Sequence, residues 1–448
     1  MKCMSVWGGL LLFSGFVQAE IIHVDTTDTL IMQLQQAQPY DQLILASGVY
    51  QGQFIVDKPL SIIGANDSEV IVDASGVGSA ITVSASDVEI SGLRIRNWGN
   101  DHYEQDSGIR LLEGANDAQI SGNQFRGDGF GISADSLSDI NIVANTIVGN
   151  AELFTLDRGD GIYLLNVLSP TVSGNIISHV RDGVYIETGR LSRVFDNQFS
   201  RLQYGIHYMY SKEDEAFNNV SRYVDGGYAL MSSKLIHLHH NRVSQALDFG
   251  VLLNMTSLSL VESNESEWAV NPSENVELGR EGKGIFIYGA KDNLVWNNLF
   301  ADNDIGIYMA MGGEGNRIFE NRFISNQAQV KYVGEALLEW SHNGRGNYWS
   351  SFTGWSGSDA NVSHQAYRPN DNLDRLFWLY PEANFLMGSP IVMLLKWAQS
   401  EFDIVEEMGI IDSFPLLKPS RHSGLIRAVD LHVAQEKTRS SGGTFYGK

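Results

Sequence analysis

Residues 183–241 read GVYIETGRLSRVFDNQFSRLQYGIHYMYSKEDEAFNNVSRYVDGGYALMSSKLIHLHHN. Gly183, Gly205 and Gly227 stand 22 residues apart in this stretch, and Asn197, Asn219 and Asn241 keep the same step. Outward from it, the glycine recurs at Gly108, Gly131 and Gly161 on one side and at Gly250, Gly284 and Gly306 on the other. An asparagine follows each glycine by 14 or 15 positions, from Asn123 through Asn145, Asn175, Asn264 and Asn298 to Asn321. Two residue types keeping one period mark an internal repeat. Two longer steps, of 30 and 34 residues, place insertions near 150–159 and 266–282.

Each unit also alternates. Ile162, Val184, Ile206 and Ile307 follow their glycines directly, and Leu164, Ile186, Tyr208 and Met309 stand two places further on. Period-2 patterning predicts short strands with one buried face. About 22 residues cannot bury such a face alone, so the units must stack on one another. The fold class expected is all-β, a parallel β-helix with coils about 4.8 Å apart, and the usual chirality of parallel connections makes it right-handed. The asparagines then form a column at one turn, hydrogen-bonding along the stack.

The register predicts spatial neighbours. On the outward face, two places after each glycine, stand Tyr163, Tyr185, His207, Ala229, Leu252, Phe286 and Tyr308. Near each asparagine stand Ser173, Phe195, Phe217, His239, Ser263 (shifted after the second insertion), Trp296 and Phe319. Aromatic columns of this kind either reinforce the stack or form a contact surface. Met209 and Met231 fall one coil apart, and His207 shares their face; Met255 is one place out of register, with Met309 and Met311 two coils on. His237 and His239 follow in KLIHLHHN. Thioethers and imidazoles select soft or borderline metals, Cu(I) above all. The candidate metal residues are therefore His207, Met209, Met231, His237 and His239, against the ordinary reading of gap-filling methionines and idle surface histidines.

Around the repeat lie three further segments. Residues 1–19, MKCMSVWGGLLLFSGFVQA, carry one basic residue, an apolar run and a Val-Gln-Ala cleavage site, which reads as an export leader. The only cysteine, Cys3, lies in that leader, so the mature chain has no disulfides or thiolate ligands. The β-helix is assigned to 20–333, with a short helix at Thr29–Gln38 over the first coil. Residues 334–418 read as a loop region plus a capping or docking helix opening at Ser389-Pro390, and 419–448 as a mobile tail. With 31 basic and 53 acidic residues among 448, the net charge of −22 argues against a nucleic-acid partner.

Parallel β-helices commonly act on polysaccharides, and this is the alternative function class. Asp160 and Asp182 precede consecutive glycines and should stack, with Arg158 and Arg181 beside them. A groove with paired carboxylates would suit acid–base chemistry on uronates. Gly-flanked aspartates at a solenoid turn are also ordinary structural residues. No nucleotide loop, HExxH or triad is present, and the chain is expected not to be an enzyme. A third reading is a scaffold whose Met/His patch binds nothing.

The stretches GDGIYLL (159–165), RDGVYIE (181–187), YGIHYMYS (204–211), GYALM (227–231), KGIFIY (283–288), QVKYVG (329–334), EWSHNGRGNYWS (339–350), YRPNDNLDRLFW (367–378) and SPIVMLLKWAQSEF (389–402) resemble the NosD family over about residues 21–417. The resemblance implies a right-handed parallel β-helix exported to the periplasm. It implies work with a membrane ABC permease, its cytoplasmic ATPase and a copper chaperone lipoprotein, in assembling the copper–sulfur centre of apo nitrous oxide reductase. Copper would be bound transiently. No family ligand motif matches residue by residue, and the basic segment after Pro419 lies outside the resemblance.

Overall fold

The computed structural model describes residues 19–65, 69–273, 279–356, 361–370, 378, 380, 386, 389–401 and 408–419. The expected leader before Ala19 and the tail after Pro419 lie outside the described residues. The chain begins with the strand Ile21–Val24 and helix α1, Thr27–Gln36, which starts two residues earlier than the sequence suggests because Thr26 caps it. Leu30 and Leu34 of α1 are buried over the first coil.

From there the chain winds as a parallel β-helix. Each coil visits three strand positions; one coil consists of Arg193–Phe195, Gln198–Ser200 and Tyr204–Met209. The first positions stack into a 13-stranded sheet running from Ile21–Val24 to Arg317–Phe319. The second and third positions join into a 23-stranded sheet, since Val220–Met231 and Arg242–Asn254 turn the corner without a break. Strands one coil apart pair in parallel, with Val184 on Ile206, Ile206 on Tyr228 and Tyr228 on Val251. These side chains are at most 1% exposed and line the interior. Each fully buried one contributes about 1.5–3 kcal/mol.

The repeated glycine is required by a close approach between coils. A Cβ on Gly183 would lie 2.4 Å from the Phe199 ring and 2.5 Å from the Gly205 carbonyl oxygen; one on Gly205 would meet Ser221 Oγ at 2.3 Å. The repeated asparagine has a different role. Asn197 donates from both its backbone N–H and its Nδ2 to Asn219 Oδ1, each at 3.0 Å, and Asn219 does the same to Asn241 Oδ1. The column continues in this way from Asn123 to Asn347, and its side-chain amides also satisfy carbonyls such as that of Val194. The residue before each rung from Asn123 to Asn321 has a left-handed backbone, as at Asp196 (φ 57°) and Asn218 (φ 55°), types that tolerate it.

The stack runs past Val333, where the sequence repeat fades. Tyr348–Trp349 adds a strand to Arg322–Ile324, and Asn347 adds a rung. The last rung is covered by a segment near residue 412. The buried Asp412 carboxylate accepts from Asn347 N–H at 2.7 Å and Trp349 Nε1 at 2.8 Å, while Gly409–Ile411 pairs with Leu337–Glu339. Helix α2, Pro390–Glu401, is capped by Ser389 Oγ. It exposes Ile391, Met393, Leu394, Leu395 and Trp397. No described helix is long and apolar enough to cross a membrane.

Candidate functional site

The five metal candidates divide between two outer faces. His207, Met209 and Met231 lie on the large sheet, and His237 and His239 lie on the 13-stranded sheet.

On the large sheet, Met209 pairs in register with Met231, as the spacing predicts. Glu187 precedes them in this column and Asn254 follows. Met231 packs against an outer apolar cluster of Ala229, Phe249 and Leu252, with Tyr204 and Phe286. His207 is 8% exposed. Its ring stacks on Tyr185 at 4.5 Å and meets the edge of Tyr204 at 5.3 Å. Its Nδ1 lies 3.0 Å from Asp182 Oδ2, while Nε2 is buried without a hydrogen-bond partner. A proton on Nδ1 directed at the carboxylate leaves the Nε2 lone pair free, the arrangement that prepares a histidine to bind a metal.

The other methionines follow the register less closely. Asn254 occupies the column, and Met255 beside it is 55% exposed. Met311 pairs with Tyr288 through a bulge and is also exposed. The two flank Gly289, at which a Cβ would lie 3.4 Å from Met255 Cγ and 3.6 Å from Met311 Cε. Met309 is fully buried in the core and is not part of this surface.

On the 13-stranded sheet, Phe195, Phe217 and His239 stack with centroids 4.8 and 5.0 Å apart and rings within 4° of parallel. The next place in the column is held by Glu262, not Ser263, since Glu262 pairs with both His239 and Trp296. His237 lies 4.1 Å from His239, ring to ring. Glu215 joins them, with Oε1 3.2 Å from His239 Nε2 and 3.9 Å from His237 Nδ1. Burial, then the adjacent His237, lowers the pKa of His239. Against the upward push of burial, hydrogen bonds from His239 and Arg193 hold that of Glu215 low.

Glu215 and Glu262 are not among the residues the sequence singles out, and Asp182 is singled out there as a partner of Asp160, not of His207. Glu215 stands 22 residues before His237 and was open to register arithmetic, whereas the Asp182–His207 contact runs diagonally between columns.

The carboxylate pair has a structural setting. Asp160 is fully buried; it accepts from Arg181 at 2.9 and 2.6 Å and from the Asp182 N–H at 3.0 Å. Burial and the neighbouring Asp182 push its pKa up. Arg158 does not join the pair and donates instead to the carbonyls of Leu153 and Ala151. With Asp160 wholly enclosed, no sugar can reach it.

A family profile described as "Periplasmic copper-binding protein (NosD)" matches residues 144–354. A relative from Stutzerimonas stutzeri named "Probable ABC transporter binding protein NosD" is 37% identical over 412 residues, covering 91% of this chain and 93% of that protein. One of the same name from Pseudomonas aeruginosa is 40% identical over 376 residues, covering 84% and 87%. The chain belongs to the NosD family. The family is described as copper-binding, and the thioether and imidazole donors of this NosD chain fit that chemistry. Among solved structures, the pneumococcal surface adhesin PfbA has a TM-score of 0.52 at 11% identity, covering 76% of this chain and 92% of that one. A lacto-N-biosidase from Eubacterium ramulus has a TM-score of 0.50 at 11% identity, covering 70% and 68%. These likenesses show the β-helix fold alone.

Proposed function

We propose that this chain is the periplasmic, non-catalytic, copper-handling partner of an ABC-type membrane complex. In this reading it receives copper from a chaperone lipoprotein and supports assembly of the copper–sulfur centre of nitrous oxide reductase, working with a permease and its cytoplasmic ATPase. Family membership supports the copper and transporter parts. The observation that carries the reading is the in-register pair Met209–Met231 on the face that holds His207, whose Nε2 is unpartnered.

Two thioethers and an imidazole form a soft set suited to Cu(I). The apolar cluster of Ala229, Phe249 and Leu252 flanks Met231 on one side. The exposed apolar side of α2 is assigned to the permease, the partner class that the relatives' names indicate.

Cu(I) titration of the mature protein against a competing chelator tests the reading. The wild type should bind, and the Met209→Leu/Met231→Leu variant should bind at least tenfold more weakly. Equal affinities would remove the thioether site. Pull-down with the permease tests the assembly, and turnover of uronate polymers would favour the polysaccharide alternative.

A further inference from the structure

We propose that Glu215, His237 and His239 form a second metal site, for a divalent ion of borderline softness, Cu(II) or Zn(II), separate from the thioether pair. Their potential donor atoms all lie within 4.8 Å of one another, and the three residues come from two successive coils.

The hydrogen bonds around the rings make them converge. His237 Nε2 is 2.8 Å from Glu262 Oε1, and His239 Nδ1 is 2.9 Å from His240 Nδ1. One nitrogen of each ring is thus engaged on the side away from Glu215. The other two, His237 Nδ1 and His239 Nε2, both face Glu215 Oε1. The second Glu215 oxygen is held by Arg193 Nε at 3.1 Å, so one carboxylate oxygen is directed at the rings. Arg193 itself lies over the Phe195 and Phe217 rings, 5.3 and 5.5 Å from their centroids.

This arrangement matches the way metal-binding histidines are prepared, with the remote nitrogen tied to a carboxylate or other partner. Two imidazoles and a carboxylate suit Zn(II) and Cu(II), which take such donors at about 2.0–2.2 Å. Side-chain shifts of about 1 Å bring the three donors to that range. The stacked Phe217 supports His239 from the coil below. The His237 and Glu215 side chains remain 36% and 34% exposed, which leaves a coordination position open to water or to a partner's ligand. Three protein ligands and an open position make a site that can release its ion.

The site shares no residue with the thioether pair, so the two can fail separately. The test uses tag-free mature protein, with Zn(II) followed by calorimetry and Cu(II) by electron paramagnetic resonance. The wild type should bind one equivalent at this site, and its Cu(II) spectrum should show hyperfine splitting from two nitrogens. His237→Asn/His239→Asn should lose at least ~100-fold in affinity together with that splitting, and Glu262→Gln about tenfold. Met209→Leu/Met231→Leu should leave the divalent affinity unchanged. Wild-type affinity and spectrum in the double histidine variant overturn the proposal, as does a wild type that binds neither ion. If the double variant fails to fold, unchanged affinity in Glu262→Gln overturns it.

Discussion

His207 Nδ1 stands 3.0 Å from Asp182 Oδ2, a contact between successive coils that joins residues 25 positions apart. Asp182 also accepts the Tyr204 N–H through its other oxygen. The carboxylate therefore fixes the imidazole from one side and leaves Nε2 as the free donor atom. Asp182→Asn retains an acceptor and loses the carboxylate charge that faces the ring. Cu(I) affinity measured by chelator competition should fall about 10- to 100-fold; an unchanged value would mean that His207 is not a ligand.

The asparagine column sets a second expectation. Asn219 Oδ1 accepts two hydrogen bonds from Asn197, and its Nδ2 serves Val194 O and Asn241 Oδ1. Asn219→Ala strands these buried groups, at about 1–3 kcal/mol each. A loss of roughly 3 kcal/mol or more should appear in urea unfolding. A loss below about 1 kcal/mol would mean that the column contributes little.

Burial raises the pKa of Asp214 and of Asp412 to about 6. Asp214 Oδ2 has no partner, while Oδ1 accepts from Ser192 N–H and Oγ. A carboxyl whose pKa rises on folding stabilises in its protonated form. That stabilisation is complete below about pH 4 and is lost as the pH climbs through about 6. Glu213 behaves in the opposite sense: hydrogen bonds from Arg190 and Lys212 lower its pKa, and its contribution is lost as the pH falls through that lowered value. Asp214→Asn should thus gain stability relative to the wild type between pH 4 and pH 7, by about 2 kcal/mol. Denaturant unfolding at the two pH values measures it, and a constant difference would show that Asp214 keeps an ordinary pKa.

On helix α2, Met393 and Leu394 are 64% and 62% exposed. Replacing both by serine costs little folding energy, because neither is buried. Pull-down with the permease should weaken at least tenfold while Cu(I) affinity is unchanged. Full retention of the permease would locate the docking surface elsewhere.

The parts of this architecture legible in the sequence are those that obey translation. Gly205, Asn219 and the Met209–Met231 pair each recur after one coil, so adding 22 to a residue number was enough to find the neighbour. The step from His239 to its partner is 23 residues, one more than the usual coil, and the column holds Glu262 where Ser263 was expected. Diagonal contacts, such as Glu262 with His237, depend on side-chain length and direction, which spacing does not encode. Asp412 was further out of reach. It meets Asn347 across 65 residues of chain that carry no repeat.

That last contact has a consequence for the whole column. Every rung from Asn123 to Asn321 hands its backbone N–H to the Oδ1 of the next rung, so whatever the length of the column its last N–H, that of Asn347, needs an oxygen from outside the series. Asp412 supplies that oxygen and takes the Trp349 Nε1–H with it. The solenoid can therefore gain or lose whole turns without rewiring, provided that its final turn keeps an acceptor for the last N–H.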